Sequence, residues 1–308
     1  MMKLNGKIAL ETGIFKAQPL EAALRSIKKI GYGTVELSSG GGRPHIGFPA
    51  TSHFDPVGST EKEVLAIKSS LAKTGITAGA MFIGGRHLLG SPDEQVRKAA
   101  VRDIRRTIKN ARLVGCDLMT SEMTPGRLQL PLMDPEEVEK CRRAWLKSVR
   151  EILPDLERTN TYLAFEPHPG DFVEDNNNAV DLINEVDSER IGNLYCFPHT
   201  FNFTGRLEDM LNYAGKKLMH IHIADTYKPE RIVAPCLVRA SPELTTRFRR
   251  EVHAHLVPGR GEIDFKAAVA ALDKINYRGY LSVQAFAHSD DPVGASTQSL
   301  EYLKELTS

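Results

Sequence analysis

The chain has 308 residues, 41% of them hydrophobic and 26% charged, with a formal net charge of +1. That composition supplies a sizeable core, and the balanced charge gives no support to nucleic acid or an anionic membrane as partner. No apolar run approaches the ~20 residues needed to span a bilayer. The amino terminus has no apolar core of a signal peptide, and four cysteines without CxxC spacing point to reduced thiols in a cytoplasmic protein.

Short β-rich apolar runs alternate with longer segments of helical spacing. In chain order the strands are expected at Ile8–Thr12, Thr34–Leu37, Ile76–Ile83, Asp117–Ser121, Tyr162–Phe165, Leu194–Phe197, Leu218–Ile223 and Leu281–Phe286. Their near-continuous hydrophobicity suits parallel strands covered on both faces. Between and after them the spacing predicts helices at Pro19–Lys29, Glu61–Lys73, Asp93–Val114, Pro135–Leu156, Asn178–Val186, Leu207–Ala214, Phe265–Ile275 and Ser296–Leu306. Gly31, Gly75 and Gly115 stand where left-handed caps would end three of the helices. Eight strand–helix units predict an α/β fold, a (β/α)₈ TIM barrel spanning residues 1–308 as one domain. An open nucleotide-binding sheet would need a Gly-rich phosphate turn after the first strand, and Glu11-Thr12-Gly13-Ile14 is not one. The segment 226–262 after strand 7 is longer than its neighbours and reads as a lid or a partner surface.

Polar residues gather at the ends of strands 5 to 8: Glu166-Pro167-His168, Cys196-Phe197-Pro198-His199, His220-Ile221-His222 and Gln284. In a closed barrel these ends converge. A carboxylate, two or three imidazoles and an amide oxygen form a donor set for Mn²⁺, Co²⁺, Fe²⁺ or Zn²⁺. The expected ligands are Glu166, His199, His222 and Gln284, with either Cys196 or His199 supplying the strand-6 donor. The period of two puts His220 and His222 on one face and Ile221 and Ile223 on the other. The isoleucines must face the helices, so the histidines face the barrel interior, with His220 one layer deeper. His168, Glu36 and His87 are candidates for catalytic work. Glu36 reads as a base or hydrogen-bond partner, or equally as an exposed or structural carboxylate, and His87 as a substrate contact or an exposed loop residue. His255, Arg260 and His220 are candidates for substrate binding. Glu122 reads as structural, and His45, His53 and His288 as ordinary surface residues.

The motifs Ile30-Gly31-Tyr32-Gly33-Thr34-Val35-Glu36-Leu37, Phe165-Glu166-Pro167-His168, His222-Ile223-Ala224-Asp225 and Pro258-Gly259-Arg260-Gly261-Glu262-Ile263-Asp264-Phe265 resemble those of the xylose-isomerase-like superfamily of sugar isomerases and epimerases. The resemblance covers nearly the whole chain. Its histidine- and proline-rich strand ends look most like those of inositol-catabolism proteins and of the catalytic subunits of C-glycoside deglycosidases. The resemblance implies one divalent ion, Mn²⁺ by preference, held by Glu, Asp, His and Glu from strands 5 to 8. Glu166 and His222 match the first and third; the second falls on Cys196 with His199 close by, and the fourth on Gln284. Gln284 cannot carry a proton at neutral pH, so two-base epimerisation with the usual glutamates is not expected.

The expected activity is metal-dependent proton abstraction alpha to a carbonyl of a sugar, polyol or keto-sugar. It is either isomerase or epimerase chemistry, or a lyase acting on 3-keto-glycosides with a small second subunit or a homo-oligomeric assembly. The alternative is a non-catalytic sugar- or partner-binding barrel with a degraded metal site.

Overall fold

A computed structural model describes residues 7–39, 53, 55–84, 87–123, 134–169, 171–201, 206–228 and 254–307. Eight strands close into one parallel barrel in sequence order. They are β1 (Ile8–Glu11), β2 (Thr34–Ser38), β3 (Thr77–Gly84), β4 (Leu118–Glu122), β5 (Tyr162–Glu166), β6 (Ile191–Cys196), β7 (Leu218–Ile223) and β8 (Leu281–Val283). The helices are α1 (Leu20–Ile30), α2 (Glu61–Thr74), α3 (Glu94–Val114), α4 (Pro135–Thr159), α5 (Asn176–Asn184), α6 (Phe197–Thr200), α7 (Leu207–Ala214), α8 (Phe265–Lys274) and α9 (Pro292–Thr307).

The helix ends follow local chemistry. Thr60 and Glu63 form a reciprocal capping box on α2, and Asp93, Asp134, Asp175 and Asp264 cap α3, α4, α5 and α8 through backbone N–H groups. Gly31, Gly75 and Gly115 end α1, α2 and α3 at positive φ (116°, 63° and 93°), as their spacing predicts. Two strands start later than expected from hydropathy, and β8 stops at Val283. The one-turn helix α6 was not anticipated; it begins where Pro198 enters its first turn, a position that suits proline.

Alternation along the strands separates two environments. Leu10, Val35, Leu37, Met81, Ile83, Met119, Leu163, Phe165, Ile221, Ile223 and Val283 are buried against the helices in one continuous core. Trp145 of α4 meets Phe165 of β5 edge to face, with ring centroids 4.8 Å apart. The intervening residues point into the barrel. There Ala164, Leu194 and Cys196 form a small apolar cluster, while Glu11, Glu36, Thr120, Glu166, His220, His222, Ser282 and Gln284 are all buried. Barrel interiors are usually filled with branched apolar side chains, so this polar filling marks out the site.

Just beyond β7, Asp225 organises the return of the chain to α8. Its backbone pairs with Leu256 (N to O, 2.9 and 2.8 Å). Its carboxylate accepts four backbone N–H bonds: Thr226 (2.9 Å) and Ile263 (3.1 Å) on Oδ1, Gly259 (2.9 Å) and Gly261 (2.8 Å) on Oδ2. The Pro258–Asp264 turn is therefore wound around one buried anion. A Cβ on Gly261 would collide with the Asp225 carboxylate and the Thr226 carbonyl. Asp225→Ala leaves four donors without their acceptor and should cost about 3 kcal/mol or more, and Gly261→Ala should also destabilise. Denaturant unfolding of both variants, with wild-type stability as the contrary result, checks this reading.

Candidate metal and catalytic site

Glu166 ends β5 and is almost fully buried, with one imidazole on each oxygen. His199 Nδ1 lies 2.7 Å from Oε1, and His222 Nδ1 lies 3.3 Å from Oε2. His199 reaches it from α6, and His222 from the inward face of β7. Glu36, on the inward face of β2, is fully buried beneath. It accepts from Thr120 Oγ1 at 2.7 Å, lies 3.1 Å from His220 Nε2, and lies 3.2 Å from His222 Nε2. His222 thus bridges two carboxylates, and Phe82 of β3 packs edge-on against its ring at 5.5 Å.

The cluster continues on the far side of His199. Its Nε2 lies 3.1 Å from Nε2 of His255, whose Nδ1 lies 3.1 Å from the Gln284 carbonyl. His168 stands edge to face with His199, centroids 4.5 Å apart, and its Nδ1 lies 2.8 Å from the Pro169 carbonyl. A carbonyl only accepts, so Nδ1 of His168 carries a proton and, in the neutral ring, Nε2 carries the lone pair. Ligand atoms of Glu166, Cys196 and His222 lie within 4.8 Å of one another, as do those of Cys196, His199 and His255. Cys196 and His199 both stand beside the converging donors.

The structure therefore brings Glu166, His199, His222, His220, Glu36, His168 and His255 into one connected cluster. Gln284 turns its side-chain amide to Glu11 of β1 in a short hydrogen bond. That bond uses Nε2, so the amide oxygen, the atom expected to ligate, is not engaged by it. Arg260 is exposed and bonds Gln298 of α9, because the turn wound on Asp225 presents its side chain outward. His220 lies against Glu36 in the layer below, fully buried, rather than at a substrate-facing surface. Glu36 has both oxygens engaged by side-chain partners, so its position favours the hydrogen-bond reading over the base reading. His87 is buried, not an exposed loop residue. His53 is tied to Thr12 Oγ1 at 3.1 Å, and His45 lies outside the described residues, as does most of segment 226–262.

Glu11 is the buried member that sequence reasoning missed. It pairs in register with Glu36, and Gln284, just past the end of β8, donates a hydrogen bond to it. Its only sequence signal is the inward position shared with Ala9 on a strand whose Leu10 faces the helices.

Burial opposes ionisation of Glu36 and Glu166. The imidazoles of His220 and His222 outweigh it at Glu36, and those of His222 and His199 at Glu166; both carboxyls are held well below the usual range. Burial likewise opposes protonation of His199, but Cys196 and Glu166 push it up to about 10, and Glu36 and Glu166 hold His222 well above its ordinary value. Glu11 is pushed up to about 8 by burial and by the Glu36 charge, and His255 down to about 3 by burial and by His199.

These shifts give the metal-free protein a defined pH dependence. Between about pH 4.5 and 6.5 the folded chain holds protons on His199, His222 and Glu11, while the unfolded chain holds them on the three histidines 199, 222 and 255. For these groups the counts match, so their combined contribution to stability is level there. Above about 6.5 the unfolded histidines lose their protons while the folded chain keeps three, so stability falls, most steeply up to about pH 8. Below about 4.5 the unfolded carboxyls take up protons that Glu36 and Glu166 refuse, so stability falls there too. Urea midpoints from pH 4 to 9 on chelator-treated protein should trace this plateau; a midpoint that rises between pH 6.5 and 8 would contradict the assigned charges.

Comparison with known proteins agrees with the architecture. Residues 24–306 match the family model described as xylose isomerase-like TIM barrel. The chain belongs to the xylose isomerase-like TIM barrel family. The rhizopine catabolism protein MocC of Rhizobium meliloti is 32% identical over 144 residues, 46% of this chain and 42% of that protein. Inosose dehydratase of Geobacillus thermodenitrificans is 29% identical over 192 residues, 58% of this chain and 60% of that enzyme. The chain thus spans 42% to 60% of the length of these two relatives. The apo structure of the Escherichia coli 3-keto-D-glucoside 4-epimerase superposes with a TM-score of 0.74 at 20% identity, covering 97% of this chain and 99% of that one. At that identity the likeness concerns the fold. Among the described residues no helix is long and apolar enough to cross a membrane.

Proposed function

We propose that this chain is a divalent-metal-dependent enzyme that removes the proton next to a carbonyl in a sugar, polyol or keto-sugar. The observation that carries the reading is the buried Glu166 carboxylate with Nδ1 of His199 and of His222 on its two oxygens, at 2.7 and 3.3 Å. One buried carboxylate and two buried imidazoles converging on one another suit Mn²⁺, Co²⁺, Fe²⁺ or Zn²⁺. Glu166, His199 and His222 would hold the ion. When bound, it supplies Lewis acidity toward a substrate ketone or enediolate oxygen.

The remaining roles belong to the chain's own groups. His168, whose Nδ1–H is committed to the Pro169 carbonyl, carries its lone pair on Nε2 and serves as the base that takes the alpha proton. Glu36 holds His220 and His222 in orientation from below, the part usually played by a carboxylate behind a ligating histidine. Gln284 donates from Nε2 to Glu11, and its amide oxygen is the expected fourth donor. The relatives are named as a dehydratase of inosose and an epimerase of 3-keto-glucoside. Both substrates are ketones, and removal of an alpha proton is a first step that elimination and epimerisation share.

The test is hydrogen exchange. Metal-loaded protein incubated with an inosose or a 3-keto-glucoside in D₂O should wash out the alpha proton, followed by NMR. His168→Ala should slow the exchange by about 10²–10⁴-fold while keeping its metal. Metal-loaded wild type that leaves the alpha protons of both ketones intact would overturn the reading.

A further inference from the structure

We infer that His255 is a positioning residue for the metal ligand His199: it fixes which ring nitrogen of His199 faces Glu166. The inference rests on the metal-site reading above and deepens it.

The hydrogen bonds run in one direction. The Gln284 carbonyl can only accept, so His255 donates to it from Nδ1, at 3.1 Å. In a ring with one proton, Nε2 of His255 is then an acceptor, and it faces Nε2 of His199 at 3.1 Å. Nε2 of His199 must therefore carry a proton, whatever the state of its other nitrogen. Nδ1 of His199, 2.7 Å from Glu166, is left as the atom available for a metal ion. A backbone carbonyl on β8's continuation thus sets the tautomer of a ligand on α6, through one intervening imidazole.

The backbone around His255 is held for this purpose. Its φ is +46°, an unfavourable region for a residue with a Cβ and a sign that its surroundings determine it. The next residue, Leu256, is paired on both sides with Asp225, and the His255 carbonyl accepts from Ala287 N at 3.2 Å. Asp225 in turn carries the four backbone N–H groups of the turn that follows. The ring is buried and lies 5.6 Å from Phe286, tilted by 33°. The residue therefore arrives at His199 from a segment anchored to the chain just past β7 and β8, independently of α6.

Two substitutions separate positioning from mere packing. His255→Ala removes the acceptor, whereas His255→Gln restores an oxygen that can accept from Nε2 of His199. The probe is Co²⁺, read by affinity and by its visible d–d spectrum, with thermal unfolding of each metal-free variant alongside. His255→Ala should lose about 10–100-fold in Co²⁺ affinity, the scale for removing a partner of a ligating histidine, with an altered spectrum. His255→Gln should recover most of the affinity and the wild-type spectrum, even where the two variants share the same melting temperature. Wild-type affinity and spectrum in His255→Ala overturn the inference, and so does His255→Gln falling as far as His255→Ala. A wild-type chain that takes up neither Co²⁺ nor Mn²⁺ overturns the metal-site reading itself, a different result from either of these.

Discussion

Glu166→Gln is expected to abolish tight metal uptake and to lower the rate of alpha-proton exchange by about 10²–10³-fold or more. The substitution keeps shape and burial but removes the one anionic donor among Glu166, His199 and His222. Lewis-acid stabilisation is worth several kcal/mol, and each 1.36 kcal/mol is tenfold in rate. The same change leaves His199 and His222 facing a neutral amide. Glu166 no longer balances their charge, so both should titrate closer to an ordinary histidine. Metal content after dialysis, together with exchange of the ketone probe, reads both effects. Retention of a full metal complement by Glu166→Gln would show that the ion is held by other residues.

Glu36→Ala is expected to be the most destabilising single change in the barrel, by roughly 3–5 kcal/mol. Glu36 is fully buried and is approached by Thr120, His220 and His222. Truncation strands the two imidazoles in a low-dielectric interior and leaves a cavity that the surrounding strands cannot close. A loss of that size corresponds to a melting-temperature drop of about 5–10 °C or more in a chain of this length. Glu36→Gln should lose less, because an amide still fills the space and accepts one bond. If Glu36 were instead the catalytic base, Glu36→Gln would remove activity while leaving stability nearly unchanged. Calorimetry and exchange kinetics on the same samples separate these two roles.

Sequence patterns disclosed the barrel and part of its site for identifiable reasons. His220-Ile221-His222-Ile223 is legible because a strand has a strict period of two, and the isoleucines have one place to go. The helix caps at Asp93 and at Gly31, Gly75 and Gly115 are local chemistry and read locally. Glu36 was legible as a polar residue in an apolar strand, but its partners lie 84 to 186 positions away. Only barrel closure brings them to it. Glu11 and Gln284 meet for the same reason, across the β1–β8 seam. His199 was legible as a donor, yet its orientation depends on the short α6, which periodicity over a single turn cannot signal. The outward direction of Arg260 was not legible, because a motif position says nothing about which way a turn faces; the four N–H bonds to Asp225 decide that.

The measurement that bears most directly on the central claim is the metal content of the purified wild-type protein by mass spectrometry, after reconstitution and removal of excess ion. Close to one Mn²⁺, Co²⁺, Fe²⁺ or Zn²⁺ per chain is the result this structure predicts. A chain that retains none of them would contradict it, leaving Glu166, His199 and His222 as a buried ion-pair network without a metal.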